Sequence, residues 1–79
     1  MDKDHLSREA DRLKNDDTFN KALDDIRAET LNALALANAD DKTMILRHQQ
    51  KVAVIDEIRT TLSRYIMAAD VQENAGSFA

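Results

Sequence analysis

From residue 1 to residue 75 the chain has neither glycine nor proline, and its one glycine is Gly76. A fold with many tight turns needs residues that enter the left-handed region cheaply, and here only Asn and Asp are available for that. Sandwiches and barrels require such turns every few residues. Long helices joined by few connections do not. Alanine, leucine, aspartate and arginine dominate the chain, which favours the same outcome. The sequence therefore predicts an all-α fold in one domain.

Two polar clusters divide the chain. Asn15-Asp16-Asp17-Thr18 is the first. Such side chains bond nearby backbone and favour turns and helix N-caps. A break is expected here, with Asp16 or Asp17 capping a new helix, although nothing in the cluster forbids a continuous one. Asn38-Ala39-Asp40-Asp41 is the second and clearer break. Its length suits an antiparallel helical hairpin. Asn38 is expected to take the left-handed C-cap role, with Asp40 or Asp41 capping the next helix.

The apolar residues fall into three helical patterns. Leu6, Ala10 and Leu13 mark a short N-terminal helix over residues 2–14, which Asp2 or Asp4 can cap. Phe19, Leu23, Ile26, Ala33, Leu34 and Ala37 mark a helix over about 18–37, with Thr30 in the same stripe. Ile45, His48, Val52, Ile55, Ile58, Leu62, Tyr65, Ile66 and Ala69 mark a helix over about 42–69. The predicted architecture is a helical hairpin preceded by a short helix. Residues 70–79 read as a frayed tail, in which Phe78 is either a bystander or an anchor.

Charge and composition exclude several functions. The chain has 15 acids, 11 bases and a net charge of −4. Residues 1–41 hold eleven of the acids and six of the bases; residues 42–79 hold four and five. No basic stripe is present, so nucleic-acid binding is not expected. No apolar run approaches the roughly 18 residues of a membrane span. The charged opening MDKDHLSREADRLK does not read as a signal peptide, and the chain has no cysteine, so a cytosolic origin is expected.

Catalytic chemistry finds little support. His48 lies in the apolar seam, and its neighbours Arg47, Gln49 and Val52 supply no metal ligands; His5 is remote in sequence. The favoured role for His48 is a seam or rim histidine hydrogen-bonded to the facing helix. Of the acidic doublets, Asp16-Asp17 and Asp40-Asp41 sit at expected caps, and Asp24-Asp25 reads as a solvated helix face. No calcium loop surrounds them. Asp56, Glu57, Arg59 and Arg64 are assigned to the polar face of the last helix. Ser7, Ser63 and Ser77 lack a nucleophile-elbow context. Neither an enzyme, a cofactor nor a small-molecule substrate is expected.

One feature asks for a functional account. Of the 34 hydrophobic residues, 12 are alanine, so bulk for a core is scarce. A chain of this size buries only roughly 60 % of its unfolded surface. Yet Leu31, Leu36, Met44, Val54 and Met67 lie off the shared seam of the hairpin. Either the short first helix folds back over them, or a second copy or a larger partner covers them. The second reading is preferred because small chains are hard to stabilise alone. The expected interface residues are Leu31, Leu34, Met44, Val54, Ile58, Tyr65 and Met67.

The segments LKNDDTFNKALDDIRAETLNAL and ILRHQQKVAVIDEIRTTLSRYI, joined through NADDKT, resemble small helical proteins encoded among the head, packaging and virion genes of tailed bacteriophages. The resemblance covers roughly residues 10–70. It rests on the Leu13, Asp16-Asp17 and Phe19 opening, the Asp40-Asp41 hairpin, and the Val52, Ile55, Ile58 and Leu62 seam. It implies a phage structural or assembly protein, made in the host cytoplasm, that packs on itself or on a capsid, portal or tail component of the virion. It carries no active-site residues. The alternative is a small acidic inhibitor or adaptor that recognises a host protein through residues 16–29.

Overall fold

A computed structural model describes residues 2–77, with side-chain surroundings given through residue 68. Three helices succeed one another: α1 (Lys3–Lys14), α2 (Asp17–Leu36) and α3 (Lys42–Ser77). No strand occurs among the described residues. The all-α hairpin expected from the sequence is present.

Each helix starts on an aspartate. Asp2 accepts from the Asp4 N–H at 3.2 Å, Asp16 from the Phe19 N–H at 2.8 Å, and Asp41 from the Met44 N–H at 3.1 Å. These bonds satisfy donors that the first turn of a helix leaves free. Asn15 closes α1, its amide Nδ2 donating to the Asp11 carbonyl at 2.8 Å. The chain thus breaks at Asn15-Asp16 rather than running straight through.

The hairpin turn differs from expectation. No residue of the described chain has a positive φ, so Asn38 is not a left-handed C-cap. Ala37 leaves α2 in extended geometry instead, and the Asn38 side chain accepts from the Asp40 N–H at 2.9 Å. Its carbonyl accepts from the Asp41 N–H at 2.9 Å. An Asx turn built on Asn38 therefore reverses the chain without a left-handed residue.

The last helix is longer than expected. α3 continues through Ser77, past the end predicted at Ala69, where the sequence had suggested a frayed tail. Nothing before Gly76 is a helix breaker, and Ala68, Ala69, Gln72, Glu73 and Ala75 are compatible with helix. Phe78 lies outside the described residues.

Thirty-six residues of helix span about 54 Å, which matches the long dimension of the 58 × 25 × 18 Å molecule. α1 and α2 scarcely touch each other, while both pack on α3. Lys14 at the end of α1 donates to Ser63 at 3.0 Å, and Asp24 in α2 meets Arg59. α1 therefore extends the line of α2 along the C-terminal half of α3 instead of folding back over the hairpin. The contact of α1 with α3 is the more intimate of the two, and Ala10 at its centre is 2 % exposed. A side chain this small lets two helix axes approach closely.

The core is thin. Among the described residues the buried apolar side chains are Ala10, Leu23 and Ile55, with Thr30 buried beside them. The Thr30 hydroxyl donates to the Ile26 carbonyl at 2.7 Å, so its burial leaves no orphaned donor.

Candidate apolar interface

The hairpin seam follows alternating steps of three and four. On α3 the inward positions are Ile45, His48, Val52, Ile55, Arg59, Leu62 and Ile66, each buried or half-buried. On α2 they include Phe19, Leu23, Thr30 and Ala33, with Ala37 following at its C-cap. Such spacing is that of a coiled-coil seam. It places Arg59 in the line and Ile58 beside it, the reverse of the sequence expectation. Ile58 is 37 % exposed.

Arg59 is consequently not part of a solvated face. Its guanidinium donates to Asp24 at 2.6 Å and to the Asn20 carbonyl at 3.3 Å. One turn further along the hairpin, Arg27 meets Asp56 through two bonds, at 2.9 and 3.3 Å. The two bridges step by three residues in opposite directions on α2 and α3, which fixes an antiparallel register. The Arg27 guanidinium holds the Asp56 carboxyl below its ordinary range, and Asp56 in turn raises Arg27. Asp24-Asp25 lies on an exposed helix face, as expected, and there Asp24 bridges to Arg59 and Asp25 pairs with Lys21 at 2.9 Å.

The Arg27–Asp56 bridge marks one side of the hairpin. The opposite side carries Met44, Lys51, Ile58 and Tyr65 on α3, which recur every seven residues beside the seam, with Val54 just outside them. From α2 the same side receives Ala22, Glu29 and Leu36. Its apolar members stay open to solvent: Met44 is 37 % exposed, Tyr65 39 %, Val54 53 % and Leu36 77 %.

The seven expected interface residues thus divide. Met44, Val54, Ile58 and Tyr65 share this one side. Leu31 and the half-buried Leu34 lie toward the bridge side near the hairpin turn, where Leu46 is also exposed. Met67 lies toward the bridge side at the far end of α3 and is exposed. Sequence reasoning missed Leu46 and the part played by Arg59. The strict three–four spacing through Arg59 was the signal that could have revealed the latter.

Polar groups assemble no reaction centre among the described residues. His48 is half-buried in the seam, as expected, but the hydrogen bond expected to the facing helix does not occur among the described residues. No cluster of three or more His, Cys, Asp or Glu side chains gathers there to hold a metal ion. A shallow depression of about 370 Å³ is lined by Asp17, Thr18, Lys21, Ala22 and Asp25, all from α2. No helix of the described residues is long and apolar enough to cross a membrane. No family model, curated protein or solved structure matches the chain.

Proposed function

We propose that this protein is a non-enzymatic assembly module, whose exposed apolar side packs against copies of itself or against a larger structural protein. The observation that carries this reading is the row of Met44, Val54, Ile58 and Tyr65, which α1 leaves uncovered on a molecule with a thin core. Exposed apolar side chains gathered on one side of a molecule mark interaction sites in proteins. The setting of a bacteriophage particle, and the capsid, portal or tail as partner, rest on the sequence resemblance. Recognition of a host protein by an acidic face is less favoured, because Asp24 and Asp25 are both engaged in ion pairs within the protomer.

Size-exclusion chromatography with light scattering tests the reading, alone and with purified particle components. The wild type forms a larger species, whereas Ile58→Asp retains its helical circular dichroism and does not. A wild type that stays monomeric, melts cooperatively and gains no partner from the particle overturns the proposal. Protein detected in purified virions at a fixed copy number supports the phage setting, and its absence from them removes that part.

A further inference from the structure

Charge is sorted between the two helices on the apolar side of the hairpin. The edge that α3 presents there, from Met44 to Ala68, carries Arg47 and Lys51 and no acid. On the edge that α2 presents, the acid free of an ion pair among the described residues is Glu29, since Asp25 is paired there with Lys21 at 2.9 Å. Neither Glu29 nor Lys51 takes part in an ion pair among the described residues. Each has been left without a partner in its own protomer while facing the same side as the exposed apolar residues.

We propose that the occupant of this side is a second copy of the same chain, related by a two-fold axis parallel to the helices, so that α3 of each copy lies antiparallel on α2 of the other. This rests on the assembly reading above and names its partner. In the register fixed by the Arg27–Asp56 bridge, such a rotation brings Lys51 within three residues of Glu29 of the second copy along the axis, about 4.5 Å of rise. The same offset sets Met44 against Leu36 and Ile58 against Ala22 of the second copy. A charge pair is then flanked on either side by an apolar pair, and the two-fold axis repeats the set. A rotation about an axis across the helices would stack α3 on α3, placing two basic, acid-free edges together. Like charges at an interface act against association.

The exposed surface is large enough to accommodate one neighbour. The chain exposes 6032 Å². A compact monomer of 8.9 kDa exposes about 4,800 Å². The excess is roughly 1,200 Å², which exceeds the ~800 Å² that each partner contributes to a standard protein interface.

Charge exchange in trans tests the arrangement. Lys51→Glu and Glu29→Lys are each purified, checked for helicity by circular dichroism, and measured by sedimentation velocity at low ionic strength, alone and as an equimolar mixture. Each variant alone opposes like charges twice per dimer and is expected to self-associate about tenfold more weakly than wild type or worse. The mixture is expected to recover the wild-type affinity. In one of its two pairs the introduced glutamate of the first variant meets the introduced lysine of the second, and in the other pair the native charges meet. Lys51→Arg, which keeps the charge, is expected to dimerise normally. If the wild type dimerises but exchange has no effect, or mixing restores nothing, the proposed arrangement is overturned while assembly through the apolar side stands. A wild type that remains monomeric overturns the second copy as occupant and leaves the larger partner. If both variants lose their helicity, Lys51→Gln and Glu29→Gln replace them and are expected to weaken dimerisation more at low salt than at high; no salt-dependent difference overturns the pairing.

Discussion

Asp2, Asp16 and Asp41 each set where a helix begins. Asp16 shows why: the chain must break between α1 and α2, and its carboxylate supplies the partner for the Phe19 N–H that the new helix leaves open. Asp16→Ala is expected to cost about 1 kcal/mol, the usual value for losing an N-cap. Asp17→Ala, one residue inside the helix, should cost less, since Asp17 gives only a favourable charge in the first turn. Urea melts of the two variants side by side check the difference. Caps of this kind were legible in the sequence to within a residue or two, because Asx residues between two apolar patterns favour N-caps. Arg59 was not, because a charged residue invites assignment to the solvent face. Its long stem can lie in a seam while its head reaches Asp24 and the Asn20 carbonyl at the rim, and residue type alone does not report that.

At the level of elements, α1 and α2 form two segments of one arm, laid end to end against the unbroken α3. The inward positions run Leu6, Ala10, Leu13 in α1 and Phe19, Leu23 in α2. From Leu13 to Phe19 is six residues, one short of the seven that would continue the pattern, and the break at Asn15-Asp16 absorbs the slip. The three helices and the break could be read from the sequence, because periodicity and Asx clusters are local signals. The placement of α1 could not, since it depends on how closely Ala10 lets two axes approach. Nor could the end of α3, which no capping residue announces before Gly76. The register of the hairpin depends in part on Arg27–Asp56. The Asp56 carboxyl titrates below its ordinary 3.8 because the Arg27 guanidinium donates to it. A carboxyl with a lowered folded pKa adds stability that is complete above its unfolded pKa and is lost as pH falls through the folded value. Wild type should therefore lose more stability than Asp56→Asn as pH falls through and below 3.8. Both bridge partners are solvent-exposed, so the difference should be small and should shrink further in high salt. Thermal melts at pH 7 and pH 2.5, at two salt concentrations, measure it; equal losses in both proteins would remove the bridge as the cause.

The whole molecule is a rod. Its radius of gyration is 17.3 Å, against about 12 Å for a compact chain of this length. A rod this thin can hide little of its apolar surface internally, so its shape and its exposed side are one property. The shape also distinguishes ways of assembling. Copies joined along their length, with axes about 10 Å apart, would each sit ~5 Å from the centre of mass and raise the radius of gyration only to roughly 18 Å. Their largest dimension would stay near the 58 Å of one protomer. Copies joined end to end would exceed about 30 Å in radius of gyration, because the whole helix length of α3 then separates them. Small-angle X-ray scattering over a dilution series is expected to show mass doubling while the largest dimension stays nearly constant. A largest dimension that grows in step with mass would move the contact from the side bearing Ile58 and Tyr65 to the rod's ends, where Leu36 and Met44 flank the hairpin turn. In that case Ile58→Asp would leave association intact, so scattering from that variant separates the two modes of assembly.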